Sequence, residues 1–313
     1  MKRKRKFQLS LVAFFLSFSI AALVNLFGES EPSGNSNRIV STFSETEAAN
    51  LADSEAVVFN EQASENTAIA EVVQGLLDEY GTTPDQVSIV YYDLQNGNQY
   101  LLNEEAIFYA ASTTKVAVAG IYIDLMEQGL LNWDSELPYY DSYYEEGNGE
   151  ITNSEKRLAY PVDELIYQML TYSDNTATNI LEEYYTDTFG DYRTAVIKFS
   201  EIENPSSELY QGNYATGVLL AETLVKVAEN DQYEAITDIM KEAQTGYRLK
   251  EYISEGVAAK YGSYDGWEHD IGIFYDGDAP EYVLVVLTND MGDVDEFIGE
   301  LSLQINKTRV NAS

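Results

Sequence analysis

Strand-like segments stand at both ends of the folded part of this chain, and a long helical block separates them. Near the start, Val87-Ser88-Ile89-Val90-Tyr91-Tyr92-Asp93 is rich in β-branched and aromatic residues, and Asn96-Gly97 offers a hairpin turn before Gln99 to Leu102. From Ser112 to about Ala243 the periods are helical, in Val116 to Met126, Val162 to Leu170, Ala177 to Tyr185 and Thr216 to Val227. Strand character returns in Gly256 to Tyr261, Ile271 to Tyr275 and Tyr282 to Thr288, with a turn at Asp276-Gly277. Strands this short need partners, so the two ends of the domain have to share one sheet while the helices stand beside it. An opening helix through Ile69, Val72, Val73, Leu76 and Leu77, stopped by Gly81, and a closing helix from about Val294 to Ile305 would then cover that sheet. The expected fold is α+β: a five-stranded antiparallel sheet flanked by terminal helices, with an all-helical lobe inserted. No internal repeat appears.

Ahead of that domain, Lys2-Arg3-Lys4-Arg5-Lys6 precedes an apolar run from Phe7 to Phe27 that is long enough to span a bilayer. A basic block before the span keeps that end in the cytoplasm and sends the rest outside. The chain is therefore expected to divide into a cytoplasmic basic tail (1–6), a membrane anchor or signal segment (7–27), a disordered acidic linker (28–66), the folded domain (67–306) and a short tail (307–313). A single-pass protein of the cell membrane with its domain outside is the first expectation, and secretion after cleavage behind Ser19 or Ala21 is the alternative. The absence of cysteine excludes disulfides, a thiol nucleophile and a lipid-modified cysteine. A formal net charge of −35 makes nucleic acid an implausible partner. A monomer is expected.

Three short motifs carry the chemistry. Ser112-Thr113-Thr114-Lys115 heads an apolar helical run, which puts a hydroxyl and an amine three residues apart on the first turn. The helix N-terminus adds unpaired N–H groups and a positive dipole end next to Ser112. Ser173-Asp174-Asn175 falls between two helical segments, and Lys260-Tyr261-Gly262 ends a short strand. Each alone reads as a cap, a turn or nothing.

Together, and in this order on a helix start, an interhelical loop and a strand, they resemble the motif set of the β-lactamases and penicillin-binding proteins. The pattern is similar to the class A β-lactamases from about Ile69 to Ile305. Phe108 to Lys115 looks like the approach to their nucleophile helix, and Asp163 to Leu181 looks like their helix, Ser-Asp-Asn loop and helix. The resemblance implies the same fold and a serine acyl-enzyme. Ser112 would attack the lactam carbonyl, Lys115 would accept its proton directly or through water, and Ser173 would protonate the leaving nitrogen. Asn175 would hold the substrate's amide, Lys260 would attract its carboxylate, and Gly262 and Ser263 would border the oxyanion hole formed by the N–H groups of Ser112 and Ser263. Lys115 has to be partly neutral to act as a direct base, and crowding by Lys260 with partial burial would serve that end. No metal or organic cofactor is implied. The partners would be a β-lactam or a cell-wall peptide, and the membrane through the N-terminal segment.

The sequence departs from that family in two places. No Glu-x-x-Leu-Asn segment is recognisable, and the corresponding stretch from Ser200 to Tyr214 offers only Glu201, Glu203 and Glu208 as substitutes for the carboxylate that activates the deacylating water. Tyr261 stands where the family carries Thr or Ser, a small hydroxyl that helps bind the substrate carboxylate; Ser263 or Ser254 would have to supply one from nearby, or the substrate lacks the carboxylate. His269, the sole histidine, lies beside Asp270 and reads as structural rather than as part of a Ser/His/Asp triad. The Asp141 to Gly149 stretch reads as a cleft rim, and the 25 tyrosines as core, rim and surface more than as a sugar platform. The leading function is a class A-like β-lactamase. The alternatives are a penicillin-binding D-Ala-D-Ala peptidase with slow or no deacylation, and a non-catalytic membrane-anchored sensor or scaffold.

Overall fold

The structure is a computed structural model that describes residues 56 to 312. The expected basic tail, anchor or signal segment, and most of the linker lie outside the described residues. In chain order the elements are α1 (Ala56–Glu79), β1 (Val87–Asp93), β2 (Gln99–Leu102), β3 (Phe108–Tyr109), α2 (Lys115–Glu127), β4 (Glu136–Pro138), α3 (Glu150–Asn153) and β5 (Ala159–Pro161). There follow α4 (Val162–Tyr172), α5 (Asn175–Thr188), α6 (Tyr192–Ser200), β6 (Tyr214–Ala215), α7 (Gly217–Glu229), α8 (Glu234–Glu242), β7 (Val257–Tyr264), β8 (Trp267–Asp276), β9 (Ala279–Asn289) and α9 (Val294–Ala312).

Five strands form one sheet in the order β2-β1-β9-β8-β7, antiparallel at every pairing. The first and last strands of the domain thus meet at β1 and β9, with Val90 opposite Val285. Successive side chains on a strand point to opposite faces, and both faces here are covered. Ile89, Tyr91, Val257, Leu284 and Val286 pack with Val73, Leu77, Phe297 and Leu301 of the terminal helices. Val90, Tyr92, Ala258, Val283 and Val285 pack with the helical lobe, through residues such as Leu220, Leu224 and Ile236. Double coverage explains why β1 is buried at all seven positions and alternates so little in sequence.

Two small pairings lie outside the five-stranded sheet. β3 pairs with β6, Phe108 opposite Ala215, and β4 pairs with β5, Leu137 opposite Tyr160. The first clamps the segment before Ser112 to the end of the 201–213 loop.

Boundaries differ from expectation where helix formers run on. α1 begins at Ala56, not at residue 67, because no glycine or proline interrupts the chain between Ala56 and Gly75. α9 continues to Ala312 through the expected tail, held by Arg309, which pairs with the buried carboxylate of Asp93 at 3.0 Å and with Glu281. α6 and α8 are additional; Asp191 caps α6 by accepting from Thr194 N at 2.7 Å, a signal present in the sequence. Among the described residues no helix is long and apolar enough to cross a membrane.

Candidate active site

The turn before α2 is bent by its backbone. Ala111 has φ +48°, in the left-handed region, where a non-glycine residue stores of order 1–3 kcal/mol of strain. That turn is pinned from several sides: Ala110 N donates to Asn213 O at 2.8 Å, Thr113 Oγ1 to Ala110 O at 2.7 Å, and Asn213 Nδ2 to Ala111 O at 2.7 Å. Ser112 is half-buried at its apex. Helical geometry begins at Lys115, whose N–H reaches back to Ser112 O at 3.4 Å, so the serine stands in the lead-in turn and not inside the helix.

β7 presses against this turn at Gly262. A Cβ there would lie 2.9 Å from Ser112 N and 3.0 Å from Ala111 Cβ, so only glycine lets the strand come so close. Lys260 and Gly262 face the lobe on β7, with Lys260 opposite Ile271 and Gly262 opposite His269.

The third contributor is the break between α4 and α5. Ser173 ends α4 with φ +59°, and Asp174 starts α5 by accepting from Ala177 N at 2.9 Å. Asp174 is fully buried and also accepts from Thr152 N and Thr152 Oγ1, at 2.9 and 2.8 Å, which fixes α3 against the same turn. Ser173 and Asn175 are thereby aimed at Lys115.

Lys115 Nζ donates to Ser173 O and Asn175 Oδ1, both at 2.8 Å, and to Ser173 Oγ at 3.2 Å. Lys260 Nζ donates to the same Ser173 Oγ at 3.1 Å and to Tyr261 O at 2.8 Å. A hydroxyl has two acceptor lone pairs and one hydrogen. With two amines donating to Ser173, its hydrogen is left to point outward. Burial lowers Lys115 to about 8, against a partial opposing pull from Glu182, Glu145 and Asp174. Lys260 is held well below the usual lysine range by burial first and by Lys115 second. Desolvation, more than crowding, therefore lowers Lys115, and the crowding falls on Lys260.

The structure sorts the remaining sequence expectations. Ser112, Lys115, Ser173, Asn175, Lys260 and Gly262 are brought together. Ser263 lies two residues beyond Tyr261 with an exposed side chain that accepts from Arg248 Nη2 at 3.1 Å and donates to Glu268. Of the three glutamates, Glu201 is ion-paired with Lys226 at 3.1 Å, while Glu203 and Glu208 are exposed. The residue of that loop that reaches the serine turn is Asn213, whose Oδ1 accepts from Thr114 Oγ1 at 3.2 Å. His269 forms no triad: its Nε2 is 2.7 Å from Tyr109 O, Thr288 N donates to its Nδ1 at 3.1 Å, and burial lowers it to about 4. Asp270 turns instead to Gln244 and to Leu249 N.

Arg248, Glu182 and Glu145 were not foreseen. Arg248 is buried and binds Gly262 O, His269 O, Ser263, Glu268 and Asp295, which holds the β7–β8 hairpin in place. Glu182 lies about two turns beyond Asn175 on the same face of α5, and burial pushes it up to about 7. Its seven-residue offset from Asn175 was a legible signal. Glu145 belongs to the expected rim and accepts from Asn179 Nδ2 at 3.0 Å. Among the described residues no group of three or more His, Cys, Asp or Glu is placed to hold a metal.

The structure is similar to that of PBP-A, with a TM-score of 0.64 at 20% identity over 77% of this chain and 96% of that one. It is also similar to a β-lactamase from Sphaerobacter thermophilus, with a TM-score of 0.63 at 21% identity over 79% and 96%. A class A β-lactamase of the last common ancestor of Gram-negative bacteria matches at 0.65 with 20% identity over 76% and 99%. No curated protein matches the sequence. A family model described as the beta-lactamase enzyme family matches residues 67–308, which contain the whole five-stranded sheet and its lobe, and the chain belongs to that family.

Proposed function

We propose that this protein is a serine hydrolase of the penicillin-binding type, acylated at Ser112 by β-lactams and by D-Ala-D-Ala-like peptides and slow to release the acyl group from a β-lactam. The observation that carries this reading is the convergence of Lys115 and Lys260 on the Ser173 hydroxyl, beside Ser112 and against Gly262. In the first step Ser112 Oγ bonds to the carbonyl carbon while its proton passes to neutral Lys115. The carbonyl oxygen becomes an oxyanion in front of the Ser112 and Ser263 N–H groups. Collapse of that intermediate breaks the carbon–nitrogen bond, and the nitrogen leaves with the outward proton of Ser173, which Lys115 resupplies. Asn175 steadies Lys115 throughout.

Slow release is supported by the loop that ends at Asn213. The group it presents to the serine turn is an amide, which cannot take a proton from water as a carboxylate does. A variant of the similar PBP-A is known as an acyl-enzyme complex with penicillin G. A second reading, full turnover of β-lactams as a β-lactamase, is favoured by Glu145, a carboxylate held by Asn179 of α5 whose charge acts on Lys115.

Intact-mass spectrometry of the full-length chain, after brief and long exposure to a penicillin, separates the two. A persistent adduct that vanishes in Ser112→Ala supports the penicillin-binding reading. An adduct that clears with product release, and persists in Glu145→Gln, would replace it with the lactamase. A chain that never gains mass would remove both in favour of a scaffold. Residence at the membrane, with the domain outside, remains part of the proposal through the N-terminal segment.

A further inference from the structure

We infer that Glu182 is a positioning residue for acylation: its carboxylate sits in the lobe behind Lys115 and stabilises the ammonium formed when Lys115 takes the Ser112 proton. The inference rests on the acyl-enzyme reading above and specifies what sets the base of the same site. Glu182 lines a cavity between α2, α5 and α6, together with Val118, Ile121, Tyr122, Tyr192 and Val196. Val118 and Tyr122 stand three and seven residues beyond Lys115, on the row of α2 side chains that begins at the lysine. Asn175, which accepts from Lys115 Nζ at 2.8 Å, stands seven residues before Glu182 on the same face of α5. Side chains on a helix lean toward its N-terminus, which tips Glu182 toward Asn175 and the lysine.

A carboxylate in this cavity is costly unless charges or donors compensate it. The wall is apolar at Val118, Ile121, Leu181 and Val196, and a volume of about 10 Å³ admits one water at most. The ionisable groups facing Glu182 are Lys115 and Tyr122 from α2, Tyr185 from its own helix, Tyr192 and Arg193 from α6, and Glu145 from the rim. Tyr122 is turned away, its hydroxyl donating to Leu181 O at 2.7 Å. Glu145 opposes ionisation of Glu182, and the Tyr192 hydroxyl favours it. Arg193 is the permanent cation, yet its Nε donates to Leu209 O at 2.9 Å and its buried Nη2 has no hydrogen-bond partner. The charge that most favours ionised Glu182 is that of Lys115, and Glu182 in turn leads the carboxylates that favour the Lys115 ammonium. A carboxylate kept for the fold would be locked onto the arginine; this one is matched to the amine whose charge changes during the reaction.

The two titrations fall in the order this role needs. Glu182 is held at about 7 and Lys115 at about 8, so above about 8 a neutral amine stands next to an ionised carboxylate. Ser112 Oγ then bonds to the acyl carbon, its proton forms the third N–H bond on Lys115, and the new positive charge meets a negative one already in place. Without that carboxylate Lys115 is a weaker base: it loses its own proton at lower pH and takes the Ser112 proton less readily.

Intact-mass kinetics of acylation by a penicillin, run on the full-length chain across the pH range of both groups, test this in wild type, Glu182→Gln and Glu182→Asp. Glu182→Gln keeps the shape and loses the charge, and its acylation midpoint should fall by about one pH unit with a plateau about tenfold lower. Glu182→Asp keeps the charge and should hold the midpoint close to wild type. A wild-type midpoint in Glu182→Gln overturns the inference and leaves Ser112 acylation standing, with the acid reduced to a packing group. A second measurement needs no variant at Glu182 and so holds even if those variants misfold. In the wild type with isotope-labelled lysine, the Lys115 Cε signal, assigned through Lys115→Met, should titrate in two steps because the two groups are coupled. A single step overturns the inference as well. If a penicillin never labels Ser112, the acyl-enzyme reading falls and this inference falls with it.

Discussion

Two buried polar clusters share the β7–β8 hairpin, and they are built in opposite ways. On the lobe face, two amines of like charge converge on one hydroxyl, and Lys115 owes its lowered affinity for protons to burial. Around Arg248 and His269, opposite charges meet and the remaining donors end on backbone carbonyls. The second arrangement stabilises, because every charged or polar group has a complementary partner. The first leaves its protons shared and mobile, which lowers stability and suits proton transfer. Burial of polar groups alone thus does not mark a reactive site; the sign and the exchangeability of the partners do.

The comparison breaks first at Lys115. Lys115→Ala should slow Ser112 acylation by about 10²–10⁴ while the unfolding midpoint holds or rises, measured by intact-mass kinetics and denaturant titration. A variant that unfolds without a rate defect would make the lobe-side cluster structural. Arg248→Met should do the reverse and cost about 3–5 kcal/mol of stability, since it strands buried carbonyls and a carboxylate together.

Titration sharpens the contrast. Acylation should climb with pH and level off above about 8, as Lys115 loses its proton. A lysine held at about 8 in the folded chain and near 10.5 when unfolded binds its proton more tightly in the unfolded state between those values. The wild type should therefore gain stability relative to Lys115→Met as pH rises from about 8 toward 10.5. The smallest effect belongs to His269, lowered to about 4 from 6.5. Its unfolded form takes up a proton in that window, so the wild type should lose stability relative to His269→Gln as pH falls from 6.5 to 4. A flat difference curve would show that burial does not hold His269 neutral.

Much of this was legible in the residues. Strand patterns at both ends of the domain required the shared sheet, and Ser112, Lys115, Ser173, Asn175, Lys260 and Gly262 stood out through the resemblance of their motifs. What escaped depends on distance in the chain. Arg248 has no local motif, and its role is defined by Glu268 and Asp295, which only the folded hairpin brings near. Asn213 reaches Ala111 across the β3–β6 pairing, which two-residue strands do not announce. α6 and α8 are nine residues each, short enough for their amphipathic periods to be ambiguous. Of the two causes expected for the Lys115 shift, burial acts and crowding does not, and the extent of that burial is a property of the whole lobe.

The left-handed backbone at Ser173 has a consequence for how such a chain drifts under mutation. Glycine suits that conformation better than any residue with a Cβ, so Ser173→Gly relieves strain of order 1 kcal/mol at the same stroke that removes the hydroxyl. A lineage with no use for the reaction would find that exchange one substitution away and be rewarded with a sturdier fold. The serine is a position at which relief of backbone strain and retention of the hydroxyl that Lys115 and Lys260 share pull in opposite directions.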